Sequence, residues 1–280
     1  VMGALVLALW AAIGVAMAGE RTPYRKPPAS ALVFDDNFES LRLWNGVSGL
    51  WRPALPWGGR TIPTNRERQF YVDARIDPPQ IASLAPFTLD KGLVITARPI
   101  PAEARNLTAG LGYASGLLTT ANSFSQTYGY FEIRARIPKG QGLWPAFWLA
   151  PLDRSWPPEI DVMEAHGHRV NGYWATIHWR EQAGAPQEKG FRIPTPDLSE
   201  GFHDFGVEWG PDEILWTFDG QVVAQTATPR SMRKPMYMIV NLAVGGKWPG
   251  DPDATTTFPA TLHVQRIQAW RLDAPKETKQ

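Results

Sequence analysis

In Glu159-Ile160-Asp161-Val162-Met163-Glu164 three carboxylic acids alternate with apolar residues. Paired carboxyls at short range do one kind of chemistry well: one donates a proton to a departing oxygen while the other attacks, or stabilises, the carbon it leaves. On a β-strand Glu159 and Asp161 share a face and Ile160 points away from it. Glu164, five positions after Glu159, falls on the opposite face of a regular strand. A β-bulge at Val162-Met163 adds one residue to the strand and brings Glu164 back beside the other two. Like charges gathered on one face repel, so one of the three must hold a proton near neutral pH. The spacing predicts carboxyls separated by roughly 5 to 5.5 Å, the gap of retaining glycosidases, which have no room between them for an attacking water. Glu159 is then the nucleophile and Glu164 the acid/base. Asp161, between them, orients Glu159 and takes up charge. A calcium site or a plain acidic strand would use the same residues.

The neighbouring aromatics favour the catalytic reading. In the run from Gly142 to Ala150, alternation puts Trp144, Ala146, Trp148 and Ala150 on one face and Leu143, Phe147 and Leu149 on the other. Two indoles flanking a small residue suit a sugar ring stacked in a groove, although a strand buried on both faces has the same pattern. His178 follows Trp174 and Thr176 on one strand face, and it either meets substrate or a carboxylate or is a satisfied, partly buried histidine. His166 and His168 form an HxH pair beside Glu164 without a recognisable third ligand, so no metal site is expected.

These acids need a rigid frame, and the chain supplies strands. Short runs of period-two alternation cover Leu93–Ile100, Tyr128–Ile137, Gly172–Trp179, Phe202–Trp209, Glu213–Asp219, Gln221–Thr226, Met236–Val244 and Leu262–Leu272. Asp219-Gly220 marks a hairpin turn. Amphipathic helices of ordinary length and internal repeats are both absent from the pattern. The fold class expected is all-β: a two-sheet antiparallel jelly-roll sandwich. Residues 1–18 are apolar and end in Ala16-Met17-Ala18, which reads as an export signal cut after Ala18, or else as a retained anchor. Residues 19–30 read as a linker, 31–273 as one catalytic domain and 274–280 as a tail. With no cysteine, no disulfide staples the domain, and a secreted or periplasmic bacterial protein fits best. A net charge of +1 argues against nucleic-acid binding. A monomer is expected, with no stable membrane insertion once the leader is removed.

Gly142 to Trp148, Glu159 to Glu164, Val207-Glu208-Trp209 with Asp219-Gly220, and Asn241 to Gly250 together resemble glycoside hydrolase family 16, the laminarinase and lichenase family, in its bulged ExDxxE form. The resemblance runs from about Val33 to Leu272. It implies a concanavalin-like jelly roll with an open cleft, and endo cleavage, with retention, of a β-1,3 or mixed β-1,3/1,4 glucan or a related exopolysaccharide. It also implies that Asn65 and Glu67, in Asn65-Arg66-Glu67, contact sugar, and that Trp57, Asn241 and Trp248 line the same groove. Two departures matter. Where the family often carries a calcium-binding Asp this chain has Gln265 followed by Arg266, so no cofactor is expected and a structural calcium is doubtful. Where many laminarinases have an Arg, it has Leu117 or Leu118, which brings it closer to bacterial members that trim exopolysaccharide of the succinoglycan kind. A sugar-binding module without turnover and a transglycosylase using the same acids are the competing functions.

Overall fold

The computed structural model describes residues 14–15, 22–181 and 184–272. Alternation of apolar side chains builds two sheets that share one core. The first runs from edge to edge as Gly14–Val15, Gln187–Pro194, Gly172–Trp179, Glu159–Glu164, Leu143–Pro151, Met236–Val244 and Leu117–Thr119. The second has eleven strands, with Gly129–Arg136 between His203–Trp209 and Ala260–Trp270. Named strands pair antiparallel except Gly14–Val15 with Gln187–Pro194 and Gln69–Tyr71 with Tyr113–Ser115. Among the described residues the α-helix is limited to the single turn Pro79–Ala82, and no helix is long and apolar enough to cross a membrane.

The strands expected from periodicity are present to within a few residues at each end. In Gly129–Arg136, Phe131, Ile133 and Ala135 are fully buried in the core, and from the facing sheet come Phe147, Leu149, Ile160, Val162, Met163 and Ile177. A second apolar cluster covers the other face of the first sheet, where Leu55 and Tyr71 pack on Trp148, Ala146, Ala150, Leu117, Tyr237 and Ile239. The chain between residues 52 and 72 therefore roofs part of the acid-bearing face. Burial of this sort is worth about 25 cal/mol for each Å² of apolar surface.

The segment expected as a linker is docked instead. Thr22–Pro23 pairs with Gln221–Ala227, the Tyr24 hydroxyl donates to Glu208 at 2.5 Å, and Lys26 Nζ reaches Glu132 at 2.6 Å. Its partners lie on the polar outer face of the second sheet, which local periodicity in the segment itself does not reveal. The export signal expected over 1–18 lies outside the described residues apart from 14–15, and so does the tail over 274–280. Gln265 accepts from Arg134 Nε at 2.9 Å, and Arg266 forms a two-pronged pair with Asp35. A guanidinium already held by that carboxylate does not fit a calcium site.

Candidate active site

The strand Glu159–Glu164 lies between Leu143–Pro151 and Gly172–Trp179. Asp161 stands opposite Trp148 and Thr176, whereas Glu164 stands opposite Ala146 and Trp174. Three steps on the acidic strand thus match two on each neighbour, which is the geometry of a bulge. Val162 and Met163 are both fully buried in the core, and Glu159, Asp161 and Glu164 are left on the other face. Bulging frees the Asp161 carbonyl, and the Trp216 indole, reaching across from Glu213–Phe218 of the second sheet, donates to it at 2.9 Å.

Each acid has its own attendants. Trp156 Nε1 donates to Glu159 Oε2 at 3.2 Å, and Trp144 Nε1 donates to Glu164 Oε1 at 3.1 Å. His178 faces Glu159 in register; its Nε2 is 3.2 Å from Asp161 Oδ2 and 3.8 Å from Glu159 Oε1. Its Nδ1 lies 3.7 Å from the Glu188 carboxylate. Burial, and then the charge of Asp161, pushes the Glu159 carboxyl up to about 8, with His178 and the Trp156 indole pulling the other way. Burial and then the Glu188 charge push Asp161 up to about 8. Glu164 is raised well above the usual carboxylate range by burial first, then by Asp161 and Glu159. A carboxyl raised in this way keeps a proton at neutral pH, which is what a general acid requires.

This site can be compared with known proteins. The model of glycosyl hydrolases family 16 matches residues 81–265. The chain belongs to this family. An endo-1,3-1,4-beta-glycanase, EglC, of Rhizobium meliloti (strain 1021) is 44% identical to this family 16 chain over 245 residues, covering 86% of this chain and 52% of that protein. The chain thus spans about half the length of this relative. A beta-glucanase of Rhodothermus marinus is 33% identical over 277 residues, covering 88% of this chain and 87% of that one. Among solved structures, the laminarinase catalytic domain from Thermotoga maritima MSB8 superposes with a TM-score of 0.69 at 31% identity, covering 87% of this chain and 98% of that domain.

Of the contacts that family 16 membership suggests, the structure leaves some open to a sugar and gives others to packing. Trp57, Trp156 and Trp248 are exposed by 52%, 57% and 41%. Trp144 is half-buried, and Trp248 packs edge-on against both Trp144 and Trp174. Trp148 and Asn241, expected to meet sugar, are buried instead: the Trp148 indole donates to Asn241 Oδ1 at 2.8 Å, and Asn241 Nδ2 donates to the Tyr71 hydroxyl at 3.1 Å. Glu67 is also buried, accepting from Ile62 N, Asn65 Nδ2 and Gln69 Nε2. These three bonds organise its loop. Asn65 is half-buried, and its carbonyl accepts from Lys247 N at 2.9 Å, which ties this loop to the Trp248 loop. Gly246 allows that approach: at φ +122° a Cβ would stand 2.9 Å from the Asn65 carbonyl oxygen. Sequence reasoning missed Trp156 and Trp216. Trp156 had a signal, since it stands three residues before Glu159 in a Pro-rich loop.

Proposed function

We propose that this chain is a retaining, endo-acting hydrolase of a β-1,3 or mixed β-1,3/1,4 glucan or a related bacterial exopolysaccharide. The observation that carries the reading is the bulge at Val162-Met163, which brings Glu164 to the same face as Glu159 and Asp161. Membership of family 16 and the exposed indoles along that face support it. Glu164 gives its proton to the glycosidic oxygen as the Glu159 carboxylate attacks the anomeric carbon. The carbon–oxygen bond breaks, the leaving chain departs as an alcohol, and a glycosyl ester forms on Glu159. Glu164, now ionised, takes a proton from water. The water oxygen adds to the same carbon, the ester bond breaks, and Glu159 is released with the anomeric configuration retained. Asp161, with His178 alongside, steadies Glu159 as its charge comes and goes. No cofactor enters this cycle. The apolar leader over residues 1–18 supports export.

The test is release of reducing ends from laminarin, mixed-linkage glucan and succinoglycan, with NMR of the first-formed anomer, for the chain and for Glu159→Gln. Release of β-anomer from one polymer, lost in the variant, is expected. Tight binding without release would favour a sugar-binding module, and elongated products would favour transfer.

A further inference from the structure

We propose that Glu159, Asp161 and His178 together bind one divalent transition-metal ion of the zinc type, and that its occupancy shuts the site down. The binding claim stands on geometry alone, and the inhibition claim rests on the catalytic reading above. Each of the three residues offers one donor atom, and these atoms all lie within 4.8 Å of one another. No other group of three or more His, Cys, Asp or Glu side chains converges in this way among the described residues.

A second observation points to a ligand rather than to mere crowding. Asp161 is 3% exposed, and its Oδ2 has no hydrogen-bond partner among the described residues. His178 Nε2 is only 3.2 Å away, yet the pair lacks hydrogen-bond alignment. Leaving a buried acceptor unpaired is costly, and a cation between the Asp161 and His178 side chains would satisfy it.

The spacing suits zinc. Bonds of about 2.0–2.2 Å to imidazole nitrogen and carboxylate oxygen put neighbouring donors of a tetrahedral site about 3.4 Å apart. Here His178 Nε2 lies 3.2 Å from Asp161 and 3.8 Å from Glu159, and all three donors fall within 4.8 Å of one another, so the two carboxylates would draw together on the ion. An imidazole among the donors favours zinc or copper over calcium and magnesium, which prefer all-oxygen ligand sets. A ligating histidine usually gives its other N–H to a carboxylate, and the Glu188 carboxylate stands 3.7 Å from His178 Nδ1, near that edge of the ring but beyond hydrogen-bond length. The side chains of Glu159 and His178 are 17% and 20% exposed, which leaves an entry path and an open coordination position. Glu164 stays outside the set, held by Trp144. A metal here would engage a Glu159 carboxylate oxygen, the group needed for attack, and would compete with the polysaccharide.

Calorimetric titration of Zn²⁺ into the chelator-stripped full chain tests this directly. One site is expected, with a Kd matching the competitive inhibition constant measured on the active polymer. His178→Gln and Asp161→Asn should each weaken binding by about 100-fold or more, at least what loss of a supporting group costs a metal site. His168→Ala, which breaks the exposed half of the HxH pair, should leave it unchanged. The proposal is overturned if Zn²⁺ does not bind, if affinity survives in both ligand variants, or if it disappears in His168→Ala. Glu164→Gln, inactive under the catalytic reading, should bind Zn²⁺ as the parent does. Binding is read by heat and not by turnover, so failure of the glucanase reading and failure of the metal site are distinguishable.

Discussion

An acid/base must hold its proton at the start of a cycle and give it up midway, and a nucleophile must do without one. Glu164 and Glu159 are both desolvated and raised, and His178 pulls both down; the Glu159 carboxylate lies 3.8 Å from that imidazole, whereas Glu164 is held by the Trp144 indole. On polysaccharide, Glu159→Gln and Glu164→Gln should each lower kcat by about 10⁴-fold or more. With an aryl glycoside whose phenol leaves without protonation, Glu164→Gln should recover most of the loss in glycosylation and Glu159→Gln none. Equal losses on both substrates would reverse or void the assignment. Trp156 gives a finer test. Its indole bond holds the Glu159 ionisation down, so Trp156→Phe should move the acidic limb of kcat/KM to higher pH. Because Trp156 is more than half exposed, kcat should fall by about tenfold or less. An unmoved limb would mean that this bond is absent in solution.

The bulge is the element on which the site depends, and it is held from behind. Trp216 is fully buried and spends its N–H on the Asp161 carbonyl. Trp216→Phe keeps most of the ring and strips the donor, leaving a buried carbonyl unpaired at a cost of about 1–3 kcal/mol. Unfolding should come several degrees earlier, and kcat should fall with little change in KM, because the reacting groups rather than the binding surface lose their register. A lower Tm with unaltered kcat would make Trp216 a packing residue only. The bulge itself was legible in the sequence for a physical reason. Ile160, Val162 and Met163 belong in the core and three carboxylates do not, and one extra residue is the smallest change that satisfies both. Trp216 was not legible, because its bond spans two sheets and 55 positions of sequence. Gln187–Pro194 escaped notice as a strand because four of its eight residues are polar, with its first three exposed and only Ile193 buried.

At the scale of the molecule, alternation fixed which residues face the core but not what covers the opposite face. Trp144 and Trp148 sit two apart on one strand and read alike; only the chain between 52 and 72, folded over Trp148, gives one to the groove and the other to packing. Long-range covering of this kind leaves no local period to read. The same burial makes the whole fold sensitive to pH. Glu159, Asp161 and Glu164 all ionise less readily in the folded chain than in ordinary carboxyls. A raised acid contributes stability that is fully present below its unfolded value, near 4, and is lost as pH rises through its folded value, about 8 for Glu159. Each tenfold change in ionisation is worth about 1.4 kcal/mol. Glu159→Gln removes one such ionisation while keeping an oxygen for Trp156 to bond. Its Tm should therefore equal the parent's near pH 4 and exceed it at pH 9 by on the order of 5 °C. Differential scanning calorimetry of the two chains across that range decides the matter, since the other titrating groups are common to both. A difference that is constant with pH, or largest in acid, would show that the buried acids are not the strained groups this geometry makes them.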